Sequence, residues 1–189
     1  MESITRKHVQ PWWLMHLHNG CYVLMGIVLM IHPLQASLLY TGLLGGLLLL
    51  AGLSTADMSR RLHNSGQANT TWLILSSIRN GLFGLTLLVT MGSPLSTMVN
   101  ILGLWGLVYA FLQAIEALFY FLGTRVSQDK DYWVEVIHFF CVLVSGGFAY
   151  VLIMLPNSLG MAALFLIGLG IIQVVLTYRL QASADNAVG

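Results

Sequence analysis

The residues of this sequence that could take part in chemistry are polar side chains set inside long apolar runs. Arg79 and Glu116 are the ionisable residues placed deepest: Arg79 lies about 10 Å from Trp72 along a helix, and Glu116 lies at a comparable depth from Gly123. An unpaired charge at mid-helix in lipid costs about 3 kcal/mol or more. The least costly arrangement is an Arg79–Glu116 ion pair inside a bundle, with a functional role as a further hypothesis. The alternative is that each side chain reaches the interface separately.

These two residues belong to a larger polar cluster in the same half of the runs. His18 and His138 within it could hold a haem, which needs two imidazoles at matching depth on facing helices. The alternative is that both are hydrogen-bonded or interfacial histidines. No Cys-x-x-Cys, HExxH or phosphate-loop motif is present, so we expect no catalytic residue, no metal and, apart from the haem alternative, no cofactor. The predicted intramembrane polar cluster is His18, Asn19, Arg79, Asn80, Gln113, Glu116 and His138.

The composition predicts the environment that surrounds these side chains. Hydrophobic residues make up 57% of the chain and charged residues 8%, whereas a soluble domain carries about 25% charged residues. Such a chain cannot cover its surface with polar groups, so we expect it to lie in lipid. A net charge of +1 gives no reason to expect a nucleic-acid partner.

Six apolar segments predict an all-α membrane protein with six transmembrane helices. Backbone polar groups find no water in hydrocarbon, so each run must be a helix. The first run is interpreted as a retained span, because no small-residue cleavage site follows it. The predicted spans are Trp12–Ile31, Ala36–Ala56, Trp72–Met91, Thr97–Gly123, Trp133–Leu155 and Leu159–Leu180.

The connections between the runs differ in charge on the two sides of the predicted membrane. The short turns at Pro33, Pro94 and Pro156 contain no Lys, Arg, Asp or Glu. Every Lys and Arg apart from Arg79 lies on the opposite side. The positive-inside rule therefore places both termini in the cytoplasm.

The sequence repeats itself at a spacing of about 61 residues. Pro33 shifted by 61 reaches Pro94, and Pro94 shifted by 62 reaches Pro156. Glycines follow the same shift, from Gly45 to Gly106. The pattern predicts three helical hairpins running in the same sense, at about residues 12–56, 72–123 and 133–180, within a single membrane domain of residues 1–189.

The glycines of these runs predict close helix packing. Small residues let helices approach in lipid, and Gly42 and Gly46 form a GxxxG pair. One interpretation is that the pair packs hairpins within one subunit. The other is that it forms an interface with a second copy or another membrane protein.

The Gly-rich helix, Pro turn and second Gly-rich helix, repeated three times, resemble the HdeD-like family over about Trp12 to Leu180. The resemblance implies a bacterial inner-membrane protein of six helices, without enzymatic activity, involved in acid or envelope stress. It supplies no site residues. Two alternatives remain open: a haem- or quinone-binding membrane anchor that uses His18 and His138, and a small transporter or channel lined by Arg79 and Glu116.

One residue on the periplasmic side could respond to external acid. His32 precedes Pro33 at the first turn, and the unperturbed pKa of histidine is about 6.5. His32 is therefore a candidate sensor of acid outside the cell. The alternative is a histidine at the membrane interface, with any acid phenotype arising indirectly. Without direct sensing by His32, the group of His18, Glu116 and His138 would be the candidate proton-responsive site.

Overall fold

The computed structural model describes residues 12–31, 38–64, 70–124 and 132–186. These residues form six helices, and no strand occurs among them. The predicted all-α fold with six helices is confirmed. The helices are α1 (Trp12–Ile31), α2 (Leu38–Asn64), α3 (Thr71–Val89), α4 (Leu95–Thr124), α5 (Tyr132–Met154) and α6 (Leu159–Asn186).

Two helices extend well beyond the apolar runs that predicted them. The α2 helix ends at Asn64, eight residues past the predicted end at Ala56, and α6 ends at Asn186 instead of Leu180. A helix that leaves the hydrocarbon can continue in water if its exposed side chains support it. In α2 the Nε of Arg61 donates to Asp57 at 2.9 Å, which is a stabilising (i, i+4) pair.

All six helices are long and apolar enough to cross a membrane. Their outward faces carry leucine, isoleucine and phenylalanine side chains that would be exposed to water in a soluble protein, such as Leu53, Leu82 and Phe111. Apolar surface of this extent, on helices long enough to cross a bilayer, is typical of a protein embedded in lipid. The chain is therefore a multi-pass membrane protein.

Two of the predicted turns lie in the described part of the chain. Between α3 and α4 the turn is built on Gly92, whose φ of +88° suits glycine, and Ser93 N donates to Thr90 O at 3.0 Å. Between α5 and α6, Ser158 N donates to Leu155 O at 2.8 Å across Pro156. The first turn, with His32 and Pro33, lies outside the described residues.

The six helices form a closed ring in chain order. Each helix packs against the one before and the one after it, and α1 packs against α6. The most extensive contacts are α2/α3, α4/α5 and α6/α1, so each hairpin packs most closely against the next hairpin. We call these three contacts the seams. Contact within the middle hairpin, between α3 and α4, is the least extensive of the six.

Glycines allow the backbones to approach at the α2/α3 seam. A Cβ added at Gly84 of α3 would lie 2.8 Å from the backbone nitrogen of Leu49 and 2.9 Å from the carbonyl oxygen of Gly45. A Cβ at Gly52 would lie 3.0 Å from Gly81 N. Backbone atoms cannot move aside as a side-chain end can, so this seam requires glycine.

Glycines also make close contacts at the other two seams. At the α6/α1 seam, a Cβ at Gly26 would lie 2.9 Å from the carbonyl oxygen of Ala163. At the α4/α5 seam, a Cβ at Gly106 would lie 2.6 Å from the ring of Phe148. Gly45 and Gly106, which the repeat relates, therefore hold equivalent places at two seams.

The predicted GxxxG pair is not the centre of a seam. A Cβ at Gly42 would meet only the sulfur of Met91, at 2.8 Å, and one at Gly46 would meet nothing within 4 Å. Gly45 between them makes the close approach instead. Gly46 is exposed, and association of this chain with a second copy or a membrane partner through Gly42 and Gly46 stays a prediction.

Two separate glycine-to-alanine variants in α3 test whether the α2/α3 seam requires glycine. Gly84→Ala is expected to lower the free energy of unfolding by about 1–3 kcal/mol through overpacking. This loss is partly offset by a gain in helix propensity of up to about 1 kcal/mol. Gly81→Ala is the matched control, because its Cβ would meet nothing within 4 Å, and it should leave stability unchanged or raise it. Thermal unfolding in detergent measures the stability of both variants. Equal stability would contradict the requirement for glycine at position 84.

Candidate functional site

Arg79 is the centre of the polar interior. It lies on α3 and its side chain is buried, with 7% exposure. Its Nη2 donates to the hydroxyl oxygens of Tyr22 and Ser76, each at 3.0 Å, and its Nε donates to Asn80 Oδ1 at 3.1 Å. A buried charge is stabilised by hydrogen bonds to its donors. Neutral acceptors on α1 and α3 provide them here.

Aromatic rings from α4 cover the guanidinium group. The Cζ of Arg79 lies 4.2 Å from the ring centroid of Tyr109 and 5.9 Å from that of Trp105, which are cation–π distances. Trp105 Nε1 also donates to Asn80 Oδ1 at 3.0 Å, and Asn80 Nδ2 donates to Tyr22 Oη at 3.0 Å. Helices α1, α3 and α4 are thus joined through one buried network.

The predicted Arg79–Glu116 ion pair is wrong. Both residues lie in the described part of the chain, and no ion pair joins them. Glu116 Oε2 instead accepts from Gln113 Nε2 at 3.3 Å. The physical reason is that Arg79 finds its acceptors on α1 and α3, where Tyr22 and Asn80 hold the guanidinium group against the aromatic rings of α4.

The two candidate haem ligands are placed on helices that are not neighbours in the ring. His18 on α1 bonds through Nδ1 to the carbonyl oxygen of Ala51 at 3.1 Å, and its ring packs edge-on to Tyr22. His138 on α5 bonds through Nδ1 to Gln113 Nε2 at 3.0 Å. Each histidine is buried and hydrogen-bonded to a different helix. A haem held by both stays a hypothesis.

Further polar contacts tie α6 into the same interior. Asn19 Nδ2 donates to Thr177 Oγ1 at 2.9 Å. Gln173 Nε2 donates to Tyr109 Oη at 2.9 Å and lies 3.7 Å from Cys141 Sγ. These bonds join α6 to α1, α4 and α5.

A cavity of about 110 Å³ opens where α3 and α4 diverge. It lies in the half of the bundle that holds Trp72 and the charged end of α2, and α1, α2 and α6 complete its wall. At about 10–15 Å³ for each water, it has room for several. The polar side chains that line it include His18, Asn19, Arg79, Gln113, Glu116 and Gln173.

The structure brings most of the predicted cluster together around this cavity. Asn80 and His138 are not among its lining residues, but both hydrogen-bond to residues that are. Among the described residues, no group of three or more His, Cys, Asp or Glu side chains could hold a metal ion. His32, the candidate acid sensor, lies outside the described residues.

Sequence reasoning missed the aromatic side chains that cover Arg79. Trp105, Tyr109, Gln113 and Glu116 follow one another at spacings of four, four and three residues, which places them on one face of a helix. An aromatic pair that continues a polar stripe in this way indicates an inward face. Tyr22 gives a weaker signal, three residues after Asn19 and four after His18.

Comparison with known protein families gives a match over part of the chain. Residues 20–89 match a family model described as a short repeat of unknown function, DUF308. The matched segment begins within α1 and ends with α3, and it contains Tyr22, Arg79 and Asn80. No curated protein and no solved structure matches the chain.

Removing the Tyr22 hydroxyl tests the buried network. Tyr22→Phe leaves an N–H of Arg79 and an N–H of Asn80 without an acceptor, so it is expected to destabilise the protein by about 1–3 kcal/mol. Tyr150→Phe is the matched control, because Tyr150 is 61% exposed and surface changes stay within about 0.5 kcal/mol. Both are measured by thermal unfolding in detergent. A Tyr22→Phe protein as stable as the control would show that the network contributes nothing.

Proposed function

We propose that this chain is a non-enzymatic, HdeD-like protein of the bacterial inner membrane that contributes to resistance against acid or envelope stress. The observation that carries the proposal is the match of residues 20–89 to a repeat that HdeD-like proteins carry. The six-helix ring, with glycines at all three seams, agrees with the repeated hairpin pattern of that family.

The charge asymmetry supports an orientation with both termini in the cytoplasm. Arg60 and Arg61 at the end of α2 lie at the same end of the bundle as the start of α1 and the end of α4. The turn at Gly92–Pro94 lies at the opposite end and carries no charge. In this orientation the polar cavity lies in the cytoplasmic half of the membrane.

A compartment reporter tests the orientation. Fused in the turn after Pro94, the reporter is expected to behave as periplasmic, because the positive-inside rule retains the Arg-containing segments in the cytoplasm. Fused after Asn64, it is expected to behave as cytoplasmic. A cytoplasmic signal after Pro94 would reverse the assignment.

Survival in acid tests the stress role. Cells that lack the gene for this chain are expected to survive strong acid less well than cells that carry it. The Gly81→Ala variant, whose added methyl group meets open space, should restore survival and serves as the folded control. His32→Gln should lower survival only if external acid acts on the protein directly. Equal survival in both acid and envelope-damaging detergent, with and without the gene, would contradict the stress role.

A second candidate function is a small transporter or channel. The observation that favours it is that Arg79 and Glu116 line the same cavity without pairing with each other. Ionisable residues in a membrane-embedded cavity commonly mark the path of a solute. Loss of solute uptake on Glu116→Gln is the expected sign of this function.

A further inference from the structure

We propose that the cavity binds a small zwitterion with the charge pattern of an amino acid, its carboxylate at Arg79 and its ammonium group at Glu116. This ligand class deepens the transporter candidate, on which it rests for the view that the cavity receives a solute. The test below measures ligand binding and does not depend on transport. The proposed ligand class and the proposed transport role can therefore be contradicted independently.

The guanidinium group of Arg79 has N–H donors that are not used in hydrogen bonds. A guanidinium group has five N–H donors. The Nε–H donates to Asn80, and the two N–H groups on Nη2 donate to Tyr22 and Ser76. The two N–H groups on Nη1 have no acceptor among the described residues. Because Arg79 is buried and lines the cavity, an acceptor for Nη1 must come from inside that cavity.

Glu116 is the complementary charge in the lining of the same cavity. Its carboxylate accepts only one hydrogen bond in the described part of the chain, from the neutral Gln113 at 3.3 Å. No cationic side chain among the described residues pairs with it. The carboxylate therefore has unused acceptor positions that a ligand donor can reach.

Neutral amide oxygens in the cavity lining add to these acceptor positions. The side-chain amides of Asn19, Gln113 and Gln173 all use their nitrogen in hydrogen bonds. Their oxygens accept no bond from any described residue, and all three side chains line the cavity. An ammonium group, with three N–H donors, could bond to Glu116 and to neighbouring amide oxygens together.

The opposite signs of the two charges in one cavity favour a zwitterion over a simple ion. An anion at Arg79 would be repelled by the Glu116 carboxylate, and a cation at Glu116 would be repelled by the guanidinium group; neither repulsion is well screened in a membrane interior. A ligand that carries both charges is attracted at both ends. The volume of about 110 Å³ is below the roughly 300–1,000 Å³ of pockets that hold drug-sized molecules, so the ligand must be small.

Thermal shift of the purified full chain in mild detergent tests the ligand class. The probes are glycine and L-alanine, with acetate and methylammonium as compounds that carry one charge each, all at the same ionic strength. Glycine or L-alanine is expected to raise the melting temperature in a saturable way, since a ligand that binds only the folded state stabilises it. Acetate and methylammonium, separately or mixed, should not.

Glu116→Gln is the informative variant, because it keeps the shape of the side chain and removes its charge. The apparent affinity for the zwitterion is expected to fall by about thirtyfold or more. Acetate should now bind, because the repelling carboxylate is gone. Asp57→Asn is the matched control: Asp57 is exposed on α2, pairs with Arg61 and does not line the cavity, so this variant should respond like the unaltered chain.

Three results would overturn the proposal. Acetate that stabilises the unaltered chain as well as glycine does would show a site for anions. No shift with either amino acid would show that the cavity holds only water. A Glu116→Gln protein that responds to glycine like the Asp57→Asn control would place the ligand elsewhere. Binding of glycine without uptake into vesicles would keep the ligand class and contradict the transporter candidate.

Discussion

The structure depends on close helix packing at the three seams, where glycines meet backbone atoms at two seams and a phenylalanine ring at the third. In lipid no hydrophobic effect drives helices together, so packing contacts and interhelical hydrogen bonds must hold them. Gly84 lets α3 approach α2, and Gly26 lets α1 approach α6. Tyr22 of α1 and Arg79 of α3 bond to each other across the interior of this closed ring.

A charge can be buried in this bundle because several weak partners surround it in place of one strong partner. The guanidinium group has two hydroxyl groups, an amide oxygen and the face of Tyr109 around it. None of these groups carries a charge, so Arg79 keeps its electrostatic field. A direct ion pair with Glu116 would weaken that field and occupy acceptor positions that Glu116 now presents to the cavity. The arrangement leaves two opposite charges exposed to the same small volume.

The sequence was sufficient for the number and type of elements, because hydrocarbon permits only one local structure for long apolar runs. It placed the end of α2 too early because the hydropathy falls at Asp57, where the helix itself continues through a charged pair. The sequence also predicted similar depths for Arg79 and Glu116, since depth follows from a rise of 1.5 Å per residue. In the structure both residues line one cavity. The partner of Arg79 could not be read in this way. Partners depend on the rotation of each helix about its axis, which packing at the seams determines. The polar stripe on α4 marks the face of Trp105 as inward but does not show which helix that face meets.

Closure of the ring between α1 and α6 has a consequence for how the protein is made. Helices enter the membrane in the order in which the ribosome produces them, so α1 must wait through the insertion of four further helices before its neighbour arrives. Until then the surface around Gly26 and the amide of Asn19, which bonds to Thr177, face lipid or another protein. The nascent chain therefore passes through a stage with an unsatisfied polar group at membrane depth. The last helix to be made supplies Thr177 and so completes the hydrogen bonding of the first.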